Sequence, residues 1–364
     1  MTDFLVKRDD LRECRIAERP APELEAGQAL LRAAAFGMTS NNVTYAVFGE
    51  GLSYWDFFPT AEQGWGRLPV WGFAEVERSE AEGVEPGTRV YGYLPASTHL
   101  VVTPARAGER GFVDGSPHKE ALPSAYHRYL TTGSDPFYRV DTEEIQMLLR
   151  PLFFTSFLVD DQLADEGLTA RGPIVISSAS SKTAIAAAFL LARREEVELV
   201  GLTSSRNTGF VEGLGIYDRT VAYDAIDSLE RGPAIFVDVA GDAAVRLAVH
   251  SHYGDQLVHS IAVGGTHWEE LGTGEAELGA GGDGLPGPSP TFFFAPTRVV
   301  KRSEDWGRAE LEKRVADAWH PFCEWTGSWL AFVRGEGLEA ARDAYLDVLE
   351  GRVEPKSAHV LTLG

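Results

Sequence analysis

The stretch from Ile174 to Ala188, IVISSASSKTAIAAA, limits the possible folds more than any other part of the chain. Pro173 to Ser177 is short, apolar and β-branched, as a buried strand is, and Thr183 to Arg194 is rich in Ala and Leu, as a helix is. A strand that passes through a tight turn into a helix is the first half of a βαβ unit, and such units build parallel sheets covered by helices. The first N–H groups of the helix have no partner within it and carry partial positive charge, so the turn suits a phosphate. Ser178, Ser180 and Ser181 would add hydroxyl donors there, and Lys182 a full charge. Glycines usually form such turns, because they permit the tight bend and the close approach of a pyrophosphate. Here serines replace them, and only Ala184 keeps the small side chain needed between helix and strand. Helix capping by serine accounts for the same residues, so the turn by itself leaves both readings open.

The next apolar segment, Glu198 to Leu202, is followed by Thr203, Ser204, Ser205, Arg206 and Asn207. That is about 20 residues beyond the turn, where a dinucleotide fold places the residue that reads the adenosine ribose. An Asp or Glu there would take the 2′-hydroxyl of NAD, whereas hydroxyl side chains beside an arginine suit the extra phosphate of NADP. No acid stands in that segment. The expected cofactor is therefore NADP(H), with a solvated polar loop as the alternative.

Charge narrows the partners. Lys and Arg number 33 against 54 Asp and Glu, a net charge of −21, which argues against nucleic acid or an anionic membrane surface. A chain this acidic must gather its cations locally to hold a polyanionic cofactor, and Lys182 and Arg206 would do so. Two cysteines, Cys14 and Cys323, in 364 residues fit a reducing compartment and offer no zinc cluster. The first residues, MTDFLVKRDDLREC, hold no apolar signal core, and no apolar run is long enough to span a bilayer. The expectation is a cytoplasmic protein without membrane partners.

At this length two domains are expected. The first part is β-rich, with strands expected at Ala29 to Ala35, Trp71 to Val76, Thr88 to Leu94 and His99 to Val102 between turn signals such as Glu85-Pro86-Gly87. Ile145 to Phe157 reads as a helix interrupted at Pro151. Thr220 to Tyr223, Ala234 to Val239 and Leu257 to Val263 continue the βα alternation. A long amphipathic helix is expected from Glu304 to about Trp319, another helix over Ala340 to Leu349, and a closing strand over His359 to Leu363.

This order resembles the medium-chain dehydrogenase/reductase superfamily, in its zinc-free quinone and enoyl reductase branches and in a bacterial subgroup rather than any named enzyme. The resemblance covers nearly the whole chain. Its carriers are GVEPGTRVYGYLP (Gly83 to Pro95), the SSASSKTA turn, GLGIYDRTVAYD (Gly213 to Asp224), FVDVAGDAA (Phe236 to Ala244) and the closing EAARDAYLDVLEGRVEPKSAHVLTL. It implies an α/β fold: a GroES-like β-barrel domain (1–145 and 330–364) with an inserted Rossmann domain (146–329), a doubly wound parallel sheet. It also implies a homodimer through the Rossmann sheet edge, near Leu257 to Val263.

One departure matters. Where the alcohol dehydrogenase branch carries the cysteine and the Gly-His-Glu of its catalytic zinc, this chain has Gly37-Met38-Thr39-Ser40-Asn41-Asn42 and Val70-Trp71-Gly72-Phe73-Ala74, with neither thiolate nor imidazole. No metal site is expected. The resemblance thus implies a zinc-independent, NADPH-dependent oxidoreductase that reduces an activated C=C or C=O bond of a small apolar molecule of quinone, enone or enoyl thioester type.

Candidate groups for that chemistry lie in GMTSNNVTYAVFGEGLSYWDFFP (Gly37 to Pro59). The matching segment of zinc-free reductases holds an Asn and an Asp, and an approximate alignment puts Thr39 and Asn42 there. Tyr45 and Tyr54 are candidate hydrogen-bond or proton donors, although tyrosines and asparagines also serve packing and turns. Gly264 and His267 follow a Rossmann strand on its carboxyl side and are candidates for the nicotinamide pocket. Trp55, Phe57, Phe58, Trp65, Trp71 and Phe73 would line a flat substrate pocket or fill a core. Trp319, Phe322, Trp325 and Trp329 have helical spacing and are expected to bury one face of a helix. Two other readings stand: a catalytically idle protein that binds NADP(H) in a structural or sensing role, and a serine turn that no longer binds nucleotide.

Overall fold

A computed structural model of the chain describes residues 1–263 and 284–364. Gly264 and His267 lie outside them. The chain divides into two compact units, Met1–Leu148 with Leu330–Gly364, and Leu149–Trp329.

The first unit begins with ten strands: β1 (Thr2–Lys7), β2 (Asp10–Glu18), β3 (Ala29–Met38), β4 (Trp65–Arg67), β5 (Pro69–Ser79), β6 (Arg89–Pro95), β7 (His99–Val102), β8 (Pro104–Gly108), β9 (Gly111–Asp114) and β10 (Arg128–Thr131). All their pairings are antiparallel. β2, β1 and β4 form one small sheet, and β3, β5, β6, β10, β9 and β8 follow one another in a larger one, with β7 also on β3. Along β6, Val90, Tyr91, Tyr93 and Leu94 are all buried. A Cβ at Gly92 would stand 2.6 Å from the Tyr129 ring, so glycine there lets β10 lay Tyr129 across β6. Tyr129 then donates to the Tyr93 carbonyl at 2.8 Å. Helix α1 (Ser40–Val47) follows β3 directly, and α2 (Glu143–Asp165) leads out of the unit.

The break expected at Pro151 does not occur: α2 runs through it. An interior proline costs about 3 kcal/mol through its lost N–H and ring clash. Leu148, Leu149, Phe153 and Leu158 are buried along the helix, each with roughly 1.5–3 kcal/mol of apolar burial, which outweighs that cost.

The second unit holds β11 (Ile174–Ile176), β12 (Leu199–Thr203), β13 (Arg219–Ala222), β14 (Ala234–Asp238), β15 (Leu257–Ala262) and β16 (Thr291–Phe292). They form one six-stranded sheet in the order β13-β12-β11-β14-β15-β16, and every pairing is parallel. In chain order this is the 3-2-1-4-5-6 arrangement of a dinucleotide fold, whose order reverses between β11 and β14 and opens a crevice at the strands' carboxyl ends. Helices α3 (Lys182–Leu191), α4 (Thr208–Gly213) and α5 (Ala243–Tyr253) lie between strands, and α6 (Ala295–Trp306) and α7 (Arg308–Thr326) follow the sheet. The single helix expected from Glu304 to Trp319 is thus two, separated by Gly307 at φ +80°, a backbone conformation that ends a helix at little cost only for glycine. α6 starts earlier than expected because Arg298 and Arg302 hold it to Asp161 and Asp165 of α2.

The chain then returns to the first unit through β17 (Ala331–Glu336), α8 (Gly337–Leu349) and β18 (Ser357–Thr362). β18 pairs in parallel with β17 and antiparallel with β3, so the larger sheet runs from β17 to β8. The architecture is the expected one, an α/β chain in which a Rossmann sheet interrupts a β-rich unit.

Candidate active site

The serine turn is fixed at both ends. Ser177, the residue after β11, donates to Asp238 Oδ1 at 2.8 Å and accepts the N–H groups of Val239 and Ala240 at 2.9 Å each. Asp238 also accepts from Gly241 N and from the buried Arg246 guanidinium, at 3.1 and 2.8 Å. The carboxyl ends of β11 and β14 are thereby tied together where the strand order reverses. Ser178 sits at φ +53°, the left-handed region that a glycine would occupy without strain, and its N–H donates to Tyr223 Oη at 3.0 Å. The turn thus takes the backbone path of a glycine turn with a serine in it.

Beyond it, Ser181 caps α3 by accepting from Ala184 N at 3.4 Å. Ser180 Oγ accepts from Thr203 Oγ1 at 3.3 Å and from Asn207 Nδ2 at 3.2 Å, joining the turn to the end of β12. Lys182 opens α3, where burial pushes its ammonium down to about 8. A cation at a helix N-terminus gains nothing from the helix dipole, and a bound anion would favour its charged form.

Thr203 ends β12, and Ser204, Ser205 and Arg206 follow it. Arg206 is exposed, and among the described residues its side chain makes no ion pair or hydrogen bond. The Ser204 hydroxyl is buried without a hydrogen-bond partner among the described residues. Ser205 Oγ donates to Asp224, its two oxygens 3.3 and 3.4 Å away. An acid therefore does reach this place, not from the segment after β12 but from the residues after β13. Sequence reading missed it because the two segments meet only once β12 and β13 are paired. A buried Ser204 hydroxyl and a free guanidinium fit a phosphate, so the residues present fit NADP(H) around Arg206 and Lys182.

In the first unit, α1 carries the other candidates. Thr39 caps it, and its N–H donates to Asn42 Oδ1 at 2.7 Å, while Asn42 Nδ2 donates to the Pro69 carbonyl at 3.0 Å. The buried Asn42 amide thus joins the start of α1 to β5. Tyr45, one turn further, accepts at Oη from Asn41 Nδ2 at 2.7 Å and from Trp71 Nε1 at 2.9 Å. Its ring lies 4.7 Å from that of Tyr54 and 5.3 Å from that of Tyr93. Tyr54 and Tyr126 are half-buried with their hydroxyls 3.4 Å apart, and Tyr126 packs 4.8 Å from Tyr93. Burial holds the phenols of Tyr45, Tyr54 and Tyr93 well above their ordinary range, with the neighbouring tyrosines adding to it. They remain protonated donors at neutral pH. Asn41, Tyr93 and Tyr126 were not among the residues singled out from sequence, since 85 positions separate Asn41 from Tyr126 and only the sheet brings them together.

The other aromatics sort by burial. Trp55, Phe57, Phe58 and Phe73 are core residues, Trp65 stacks under Arg15 at 4.3 Å, and Trp71 is the one of that group bonded to Tyr45. Trp319 and Phe322 bury the face of α7 against Phe153. Among the described residues no group of three or more His, Cys, Asp or Glu side chains is placed to hold a metal ion, and no helix is long and apolar enough to cross a membrane.

One family model matches the chain, over residues 36–354, and is described as protein of unknown function (DUF2855). No curated protein matches it by sequence. Solved structures do match by fold. CurA from Vibrio vulnificus is 15% identical with a TM-score of 0.58, over 100% of this chain and 99% of its own. The yhdH oxidoreductase from Salmonella enterica, solved with NADP, is 15% identical with a TM-score of 0.56, over 100% of both chains. The quinone oxidoreductase from Coxiella burnetii is 14% identical with a TM-score of 0.54, over 100% of this chain and 99% of its own. At such identities the likeness is one of fold.

Proposed function

This chain belongs to the family described as protein of unknown function, DUF2855, and on the geometry of its two units we propose that it is a zinc-independent, NADPH-dependent reductase. Its substrate would be a small, flat, apolar molecule with an activated C=C or C=O bond, of quinone, enone or enoyl thioester type. The observation that carries this reading is the pair of cations, Lys182 and Arg206, set just beyond the carboxyl ends of neighbouring parallel strands in a chain of net charge −21. The N–H groups that open α3, with Ser180, Ser181 and Lys182, would hold the pyrophosphate, and Ser204, Ser205 and Arg206 the 2′-phosphate.

When bound, NADPH would supply the hydride that the reduced carbon receives. The chain's own part is position and protons. Tyr45 or Tyr54 donates a hydrogen bond to the substrate oxygen as negative charge grows on it, and the phenol lost to proton transfer is restored from solvent. Zinc is not called on, because the residues at 37–42 and 70–74 include no thiolate or imidazole. Following the same resemblance, the proposal extends to a cytoplasmic homodimer through the edge of the parallel sheet. The strand expected there, Leu257 to Val263, is paired on both sides, by β14 and β16, so among the described residues the edge is β16, where Phe292 is 37% exposed.

The test is to incubate the protein with NADPH and a panel of quinones, enones and aldehydes and to follow loss of the cofactor's near-ultraviolet absorbance. Turnover of at least one is expected. Binding of NADPH with no turnover on the whole panel would favour an idle sensing or structural role instead.

A further inference from the structure

Tyr45 is held in a way that its own packing does not require. Asn41 and Tyr45 lie four residues apart on α1 and so share a face of the helix, and β5 brings Trp71 to the same oxygen. An indole N–H can only donate, and so can the amide nitrogen of Asn41. Their bonds, at 2.7 and 2.9 Å, occupy both lone pairs of Tyr45 Oη and leave the hydroxyl one remaining act, to give its proton. Among the described residues none accepts that proton. A second buried donor stands beside it: Tyr93, fully buried and in edge contact with the Tyr45 ring, has a hydroxyl without any hydrogen-bond partner among the described residues. Leaving a buried hydroxyl unmatched costs about 1–3 kcal/mol, so such groups mark a missing acceptor.

We infer that Asn41 and Trp71 are positioning residues that hold Tyr45 as an obligate hydrogen-bond donor, and that this ring cluster takes a flat ligand presenting an acceptor oxygen, such as the carbonyl of a quinone or an enone. The inference rests on the reading that the tyrosine cluster is the substrate site. Shape and charge agree with the class. Tyr45, Tyr54, Trp71, Tyr93 and Tyr126 present ring faces and edges rather than charges, and the cluster reaches solvent at Tyr54 and Tyr126. Both donors to Tyr45 pull electron density from its oxygen, which makes its proton a stronger donor to a developing oxyanion.

The experiment uses 4-nitrophenolate, a flat ring bearing an anionic oxygen, bound to the full chain without NADPH and followed by the position of its visible absorption band. The wild type is expected to bind it and shift the band to shorter wavelength, as a strong donor to the phenolate oxygen does. Tyr45→Phe should weaken binding roughly tenfold or more and abolish the shift, the loss expected for a hydrogen bond to a charged group. Asn41→Ala and Trp71→Phe should weaken it by a smaller factor and keep part of the shift. Asn41→Asp should behave like Tyr45→Phe, because a carboxylate would accept the Tyr45 proton and turn the bond around. Near-ultraviolet circular dichroism checks the fold of each variant, and Asn41, which is half-buried, keeps the test open if Tyr45→Phe does not fold. Wild-type affinity and band position in Tyr45→Phe, or an Asn41→Asp variant indistinguishable from Asn41→Ala, would overturn the inference. A protein that binds the probe as described yet oxidises no NADPH would sink the reductase reading and leave this one standing.

Discussion

At the scale of single residues, the ribose end of the proposed cofactor site sets Arg206 against Asp224. The guanidinium is unpaired among the described residues, and the carboxylate reaches the same loop through Ser205. Arg206→Ala should therefore weaken NADPH by about tenfold or more while changing NADH little, since a charge-assisted pair is worth roughly 1.5–3 kcal/mol. Asp224→Asn should move the other way, tightening NADPH relative to NADH by removing a like charge from the 2′-phosphate. Isothermal titration with both cofactors reads the two ratios, and equal losses for NADPH and NADH in Arg206→Ala would dismiss the 2′-phosphate assignment. Lys182 adds a pH signature. Burial pushes its ammonium down to about 8 in the free protein, and a bound phosphate favours the charged form. NADPH affinity should be fully present below that value and fall as the pH rises through it, and Lys182→Met should flatten the profile. The hydroxyls and cations of this end were legible as a local run of sequence. Asp224 and the Tyr45 bonds were not, because their partners come from other strands.

At the scale of elements, the turn depends on what the neighbouring strand leaves room for. Gly201 in β12 lies under it: an added Cβ would stand 2.9 Å from the Ala179 Cβ and 3.0 Å from the Tyr217 ring. Tyr217 is itself fixed by bonds to the carbonyls of Ala179 and Ala184, at 3.2 and 3.3 Å, so neither neighbour yields easily. Gly201→Ala should cost about 1–3 kcal/mol in urea unfolding and also lower NADPH affinity. Asp238→Ala should cost more, about 3–5 kcal/mol, because it strands the buried Arg246 and frees Ser177. Asp238→Asn, which keeps an oxygen for Ser177 and Gly241, should recover part of that loss. The buried parallel strands were readable within a residue or two, since runs such as Ala234 to Val237 are apolar throughout. β2 was missed: its sequence, DLRECRIAE, alternates no apolar face, and much of it is exposed. The helix through Pro151 and the break at Gly307 were misread for one reason. Local signals of helix ending compete with burial, and only packing decides which prevails.

At the scale of the whole molecule, the chain leaves the β-rich unit, builds a parallel sheet and comes back, and the return rests on one strand. β18 lies between β17 and β3, with Ala358, Val360 and Leu361 buried. The family resemblance carried by the motif order implied this return, whereas the residues of the closing segment by themselves indicated only a strand. Deleting residues 357–364 would unpair both neighbours at once and expose the backbone edge of β3 along His359 to Thr362's former partners, Met38 to Ala35. The same deletion removes no residue of the second unit. The expected outcome is unequal: limited proteolysis of the shortened chain should digest the first unit while a fragment spanning about 149–329 stays protected, and that fragment should retain a thermal shift with NADPH. Digestion of both units at the same rate would mean that the Rossmann sheet does not stand without the β-rich unit. Loss of the NADPH shift from an intact fragment would instead place part of the cofactor's hold outside residues 149–329.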